Sequence, residues 1–317
     1  MKAEELREKL QELQELALRE NIDIQADLSR LESKLSGQDS GVWERVETAR
    51  HSDRPTTLQY VEMMSERFLE LHGDRAAGDD PALVGGIATI GGVHFTFMGH
   101  QKGHNMKENL KRNYGMAHPE GYRKALRLAK QAERFGRPVL TLIDTPGAFP
   151  GLAAEERGIG EAIARNLVEF SKLRTPIICV VIGEGGSGGA LGIGVGDRVF
   201  MMENSIYSVI SPEGFASILL RDAKKARQAA SLMKISAADL QAFGLIDGVL
   251  AEPDGGAHND PHGTAARVRQ TILEAHKTLR RKRPEALLQD RSERLLALGQ
   301  FETGTVNRKG LISRLFG

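Results

Sequence analysis

Cysteine is almost missing from this chain: Cys179 is the only one in 317 residues. One thiol cannot close an internal disulfide or build a Cys-rich zinc site. It lies within the apolar run Pro176-Ile177-Ile178-Cys179-Val180-Val181 and reads as a small core residue. Charge of one sign is not in excess either. The net charge of +1 offers no electrostatic reason to bind nucleic acid. No stretch approaches ~20 uninterrupted apolar residues, so no membrane span is expected. The start, Met1-Lys2-Ala3-Glu4-Glu5-Leu6, is charged and lacks a signal-peptide core. A soluble, cytoplasmic protein is the expectation. With 40% hydrophobic and 27% charged residues, wholesale disorder is excluded. The length permits one large domain or two small ones.

What is present is ordered in blocks. Residues 2–36 are rich in Leu, Glu, Lys and Gln, and Leu6, Leu10, Leu13 and Ala17 keep helical spacing, as do Leu28, Leu31 and Leu35. This predicts one or two amphipathic helices over 1–36, packed either on this domain or on a partner chain. Gly37-Gln38-Asp39-Ser40-Gly41 reads as a linker. A helical pattern returns over Thr57 to Leu71. Leu83 to Ile90 and Val93 to Met98, around Gly91-Gly92, predict a hairpin. Pro119 to Phe135 predicts a helix stopped by Gly136. After it, buried-type strands (Pro138 to Ile143, Pro176 to Ile182) alternate with helical segments (Glu155 to Leu173, Pro212 to Leu220) and with short strands at Val199 to Met202 and Tyr207 to Ile210. Such alternation predicts an α/β domain with strands buried on both faces. The segment from about His262 to Leu298 is helical and charged, and Arg280-Arg281-Lys282-Arg283 in it reads as a solvated helix end.

Chemistry is expected in two loops that follow the two buried strands. The first is Asp144-Thr145-Pro146-Gly147-Ala148-Phe149-Pro150-Gly151. The second is Ile182-Gly183-Glu184-Gly185-Gly186-Ser187-Gly188-Gly189-Ala190-Leu191, in which five of ten residues are glycine, more than a plain connection needs. Backbone N–H groups in such a loop, unshielded by side chains, can hold a developing negative charge on a carbonyl oxygen. The crevice beyond the carboxyl ends of strands is where open α/β sheets bind ligands. The stretch Gly185 to Gly189 also fits the G-x-S-x-G elbow of serine hydrolases, with Ser187 as nucleophile and His258, His262, Asp247 and Asp254 downstream. That alternative, acyl transfer or peptide hydrolysis through Ser187, stays open here, as does a scaffold without catalysis. A P-loop would need Gly-Lys-Ser/Thr where Gly189-Ala190-Leu191 stands. Glu155 and Glu156 read as first-turn acids of a helix and Asp144 as a turn-fixing residue. The segment His100 to Gly115 carries six Lys, Arg or His and reads either as a solvated loop or as a binding face for phosphate or an acidic partner. No residue set has metal-ligand spacing, so no metal site is expected.

At these residues the sequence resembles the alpha subunits of bacterial acetyl-CoA carboxylase carboxyltransferases. The likeness runs over roughly residues 41–258. It is carried by Arg54-Pro55, Gly73-Asp74-Arg75, Asp79-Asp80, Leu83 to Ala88, Gly99-His100-Gln101-Lys102-Gly103, Pro119 to Leu128, Ile143 to Ala148, Glu155-Glu156-Arg157-Gly158, Ile182 to Ala190 and Ser208 to Gly214. Ala237 to Asp247 is similar to the recurrent ending of crotonase-like domains. Phe149 and Phe215 are mild variations on the pattern.

The resemblance implies a crotonase-like fold, a β-β-α spiral with an N-terminal helical extension and C-terminal helices. Together with the helical spacing over 1–36, it divides the chain into those helices, a carboxyltransferase domain over 41–298 and a tail over 299–317. It implies transfer of a carboxyl group from carboxybiotin, carried on a biotin carboxyl carrier protein, to acetyl-CoA, giving malonyl-CoA, the first committed step of fatty acid synthesis. The implied partners are a carboxyltransferase beta subunit in an α2β2 heterotetramer and biotin carboxylase. No cofactor is expected on this chain itself, carboxybiotin being a substrate, and zinc is expected only in the beta subunit. The backbone N–H groups of Gly188 and Gly189 map onto the family's oxyanion donors. Gly147, Ala148, Phe149, Gly185 and Gly186 map onto the carboxybiotin pocket.

Overall fold

The computed structural model describes residues 40–299. The expected helices over 1–36 and the tail beyond Gly299 lie outside the described residues. Within them, one eight-stranded sheet organises the chain. Helix α1 spans Ser40–Ala49 and α2 spans Thr57–Met64; then come strands β1 (Arg67–Glu70), β2 (Leu83–Ile90) and β3 (Val93–His100). A short helix α3 (Met106–Lys111) precedes α4 (Pro119–Arg134), β4 (Val139–Thr145), α5 (Leu152–Glu156), α6 (Ile159–Ser171) and β5 (Ile177–Gly186). The chain continues through α7 (Ser187–Leu191), β6 (Arg198–Met202), β7 (Ile206–Ser208), α8 (Pro212–Leu219), α9 (Ala226–Met233) and α10 (Ala237–Ala242). It closes with β8 (Gly248–Leu250), α11 (Pro261–Leu279) and α12 (Pro284–Ala297).

The strand order β1-β2-β3-β4-β5-β6-β8 follows the chain, with β7 paired to the far end of β5. The β1-β2 and β2-β3 pairs are antiparallel and the others parallel. A sheet wound steadily in one direction places its crossover helices on one face, because parallel crossovers keep one hand. Here those are α4 and α6, which bury Tyr122, Leu128 and Phe170 against Val139, Ile143, Cys179 and Val181. The opposite face needs cover from elsewhere. Helix α2 supplies Tyr60, Val61 and Met64, and α11 supplies Val268, Ile272 and Leu279, against Leu140, Leu142, Ile178, Val180 and Ile182. Successive strand residues therefore go to opposite cores, which is why β4 and β5 read as unbroken apolar runs. Burial pushes the Cys179 thiol up to about 12, so it is an inert filler. Among the described residues no helix is long and apolar enough to cross a membrane.

Four local expectations change. Ser40 and Gly41, expected as linker, open helix α1. The helical pattern over Thr57 to Leu71 ends at Met64, and Arg67 to Glu70 become an edge strand. Pairing decides this: Gly86 of β2 has no side chain, and an ideal Cβ there would sit 2.0 Å from the Leu69 carbonyl oxygen. The helix expected over Glu155 to Leu173 breaks at Gly158, whose φ of +80° is left-handed. The glycine loop is also less of a loop than it reads, since β5 runs on to Gly186 and α7 starts at Ser187.

Candidate active site at the carboxyl ends of β4 and β5

The two chemistry-bearing segments meet backbone to backbone. An ideal Cβ on Gly189 would lie 2.4 Å from the Gly147 carbonyl carbon and 2.5 Å from the Ala148 nitrogen. One on Gly186 would lie 2.1 Å from the Pro146 carbonyl oxygen, and one on Gly185 2.8 Å from the Tyr207 ring. These glycines permit close approach of chain to chain. Gly147 and Gly188 differ. Nothing lies within 4 Å of a Cβ on Gly147, and the nearest atom to one on Gly188 is Ile163 Cδ1 at 3.8 Å. Neither has left-handed backbone. The chain's own packing requires no glycine at either position, and both leave open space at the junction.

Backbone donors surround that space. The first N–H groups of a helix have no intrahelical acceptor, and no side chain among the described residues accepts from Gly188 or Gly189. The Ala148 N–H likewise has no acceptor among them. Gly147 and Phe149 are used internally: the Gly147 N–H donates to Thr145 Oγ1 at 3.1 Å, and the Phe149 N–H to the Ala117 carbonyl at 3.1 Å. The Phe149 ring packs against His118 with centroids 4.2 Å apart. Gly185 and Gly186 are buried at the end of β5, bordering a small crevice with Pro146 and Ser208.

Ser187 sits at the strand-to-helix corner with φ +53°, a strained value for a non-glycine residue. Two of its four proposed helpers are engaged elsewhere. His258 stacks on His51 with centroids 3.9 Å apart. Asp247 accepts the Val199 N–H and pairs with Arg294. No histidine hydrogen-bonds to the Ser187 hydroxyl among the described residues, which is not a hydrolase triad.

Beside the junction, a charged cluster fills the carboxyl ends of the strands. Lys102 bridges Asp144 Oδ1 at 2.7 Å and Glu184 Oε2 at 2.8 Å. Arg50 bridges Glu184 and Glu213, each at 2.7 Å. Asp144 Oδ1 also accepts the Glu184 N–H, tying β4 to β5 at the point where their register shifts. Arg54 pairs with Glu252 and donates to the Ile182 carbonyl at 2.6 Å. Arg50, Arg54, Lys102, Asp144 and Glu184 line a crevice of about 310 Å³ that also takes in Asn109, Tyr114 and Pro146. Burial alone would raise the Glu184 carboxyl, but Lys102 and Arg50 outweigh it and hold it at about 2. Burial likewise opposes the Lys102 charge, and Asp144 with Glu184 more than offsets it.

The basic segment is thereby divided. Lys102 is spent on this cluster, Arg112 on the Pro81 carbonyl and His104 on Ser52 and Gln59, while Lys107 and Lys111 stay exposed. Asp144 does more than fix a turn, and the exposed Glu155 and Glu156 stay at a helix surface. Sequence reasoning missed Arg50 and Glu213, whose contacts with Glu184 cross the chain and leave no local pattern. It also missed Tyr122, whose hydroxyl donates to the Gly189 carbonyl at 3.2 Å. Among the described residues no cluster of three or more His, Cys, Asp or Glu has metal-binding geometry.

Known proteins resemble this chain in sequence and fold. The family described as acetyl co-enzyme A carboxylase carboxyltransferase-like matches residues 1–299. An acetyl-coenzyme A carboxylase carboxyl transferase subunit alpha from Treponema denticola is 54% identical over 294 residues, covering 92% of this chain and 96% of that one. Its namesake from a Geobacillus species is 52% identical over 303 residues, covering 94% and 93%. In structure the chain is similar to transcarboxylase 12S with methylmalonyl-coenzyme A and methylmalonic acid bound, at a TM-score of 0.59 and 21% identity. That match covers 71% of this chain but only 42% of the longer transcarboxylase chain. A Pseudomonas malonate decarboxylase hetero-tetramer in complex with coenzyme A matches at 0.58 and 20% identity, covering 76% and 92%. At such identities these structures establish the crotonase-like fold. Sequence and fold together make the chain a member of the acetyl-CoA carboxylase carboxyl transferase alpha-subunit family.

Proposed function

We propose that this chain is the carboxybiotin-facing half of an acetyl-CoA carboxylase carboxyl transferase. It moves a carboxyl group from carboxybiotin, held on a biotin carrier protein in the cytoplasm, to acetyl-CoA, and malonyl-CoA results. Loss of CO2 from carboxybiotin leaves negative charge on the ureido oxygen of biotin. The N–H groups of Gly188 and Gly189 meet that oxygen, with Gly147, Ala148 and Phe149 as the facing wall and Gly185 and Gly186 beneath. The observation that carries this reading is the open space over Gly188 and Gly147, bordered by N–H groups without acceptors. One preorganised donor of this kind stabilises a transition state by about 3 kcal/mol, or ~100-fold in rate. The biotin enolate then takes the α-proton of acetyl-CoA, and the resulting carbanion attacks CO2. No side-chain nucleophile is needed, in keeping with the unsupported Ser187.

The relatives' names as subunits support an enzyme that is incomplete alone. A beta subunit, in an α2β2 assembly, supplies the acetyl-CoA contacts and the zinc, and biotin carboxylase recharges the carrier. The test is malonyl-CoA-dependent carboxylation of biocytin, by the chain alone and with a co-purified beta subunit. Activity is expected only in the mixture. Gly188→Val, whose Cβ would meet its nearest neighbour, Ile163, at 3.8 Å, should lower that activity ~100-fold or more with the assembly intact. Wild-type turnover in a Gly188→Val complex sinks the oxyanion assignment.

A further inference from the structure

Glycine is a poor residue on which to hang a fixed donor, because no Cβ restricts its φ and ψ. The turn needs a lock from outside, and the contacts behind it converge on Tyr122 of α4. The Tyr122 ring packs on Gly192, where an ideal Cβ would lie 2.6 Å from a ring carbon. Gly192 in turn donates its N–H to the Gly188 carbonyl at 2.9 Å. A peptide is planar and trans, so its C=O and N–H point opposite ways. Holding the Gly188 carbonyl therefore aims the Gly189 N–H. The Tyr122 hydroxyl holds the next peptide by donating to the Gly189 carbonyl at 3.2 Å. Both peptide planes flanking Gly189 are thus set against one side chain.

That side chain is itself anchored. Tyr122 is wholly buried, and its carbonyl accepts from Asn166 Nδ2 at 3.0 Å, an amide that also donates to the Gly192 carbonyl at 2.9 Å. His100, wholly buried beside the same turn, stands edge-on to the Tyr122 ring with centroids 6.5 Å apart. Burial, with Asp80 adding to it, holds the Tyr122 hydroxyl well above the usual phenol range, so it remains a donor at every working pH.

We propose that Tyr122 is a positioning residue for carboxyl transfer, fixing the direction of the Gly189 N–H through the Gly189 carbonyl and Gly192. The proposal rests on the oxyanion reading of Gly188 and Gly189. Tyr122 acts on the turn rather than on the substrate, so its effect falls on kcat and not on KM.

The experiment compares Tyr122→Phe with wild type in the complex with the beta subunit, using malonyl-CoA and biocytin. Phenylalanine keeps the packing on Gly192 and removes one buried hydrogen bond. The expected result is a kcat about tenfold lower with KM for malonyl-CoA unchanged. Replacing Tyr122 by 3-fluorotyrosine, a more acidic phenol and stronger donor, should leave kcat at or above wild type. A merely structural role would lower the melting temperature of Tyr122→Phe and leave its kcat per folded complex at the wild-type value, and that result overturns the proposal. Wild-type kcat in Tyr122→Phe beside an impaired Gly188→Val overturns it while the oxyanion reading stands. Wild-type kcat in both variants removes the reading and the proposal together. If Tyr122→Phe does not fold, the fluorotyrosine protein decides alone, and a kcat below wild type overturns the proposal.

Discussion

At the amino ends of β5 and β6, Arg291 reaches in from α12 and leaves nothing unpaired. Both Asp197 carboxylate oxygens accept from it, at 2.9 and 2.8 Å, and so do the carbonyls of Phe170, Leu173 and Thr175. Asp197 accepts the Ile177 N–H as well, and the pair is almost wholly buried. At the carboxyl ends of β4 and β5, charge is handled differently. Lys102, Asp144, Glu184 and Arg50 are also paired, but they border a crevice, and Arg50 keeps a third of its side chain in solvent. Beside them stand N–H groups without acceptors and two glycines that the fold does not require. One end of the sheet spends buried charge on closing the structure. The other holds it next to unspent polar groups, as a site must if a ligand is to complete it.

The comparison breaks most sharply at Arg291. Removing one member of a buried ion pair leaves its partner charged and unpaired, a loss of about 3–5 kcal/mol. Arg291→Ala should therefore lower stability by that amount in denaturant melts. Turnover per folded complex should remain that of wild type, because Arg291 touches only the amino ends. A variant of normal stability with impaired kcat would make the two ends of the sheet one functional unit.

How much of this was legible in the sequence follows the same division. The strands were legible because both faces are buried, so β4 and β5 are unbroken apolar runs flanked by Gly and Pro. The hairpin at Gly91-Gly92 was legible from local turn chemistry, and its φ values of +59° and +74° need glycine. Edge strand β1 was not, because its pairing depends on the missing side chain of Gly86, sixteen or more residues away in the chain. The candidate site's two segments were legible as glycine-rich stretches, but not which glycines serve packing and which leave space. Gly186 and Gly189 are alike in sequence to Gly147 and Gly188, and only the chain lying across from them separates the two kinds. The ion-pair cluster was half legible. Lys102 and Asp144 sit in recognisable motifs, whereas Arg50 meets Glu184 across 134 positions.

Acid separates the two ends more gently. Glu184 has a folded value of about 2, below the ordinary carboxylate value, so it binds fewer protons folded than unfolded. Its contribution to stability is complete above the unfolded value and is lost as pH falls from about 4.5 toward about 2. Unfolding free energy measured across that window should fall with pH in the wild type, and Glu184→Gln should flatten the slope. His100 adds a limb of the same sign at higher pH. Burial, with Lys102 adding to it, pushes it down to about 3, so its stabilising effect declines as pH falls from about 6.5 toward 3. A stability profile of Glu184→Gln that matches wild type below pH 4.5 would mean that Lys102 and Arg50 are not paired with Glu184 in solution.

The smallest change probes the open space itself. Gly188→Ala adds one methyl, which would meet Ile163 at ordinary van der Waals distance in backbone that any residue adopts. Alanine is the better helix former by up to about 1 kcal/mol, so the variant should be as stable as wild type or slightly more so. If the space serves only the fold, turnover should follow stability and stay unchanged. If an oxygen of the substrate must approach the Gly188 and Gly189 N–H groups closely, the methyl intrudes on that approach. Turnover should then fall several-fold, less than for valine, while melting temperature holds or rises. Opposite movement of stability and turnover from one methyl group would identify Gly188 as a glycine kept for the substrate, because no property of the folded chain alone can produce it.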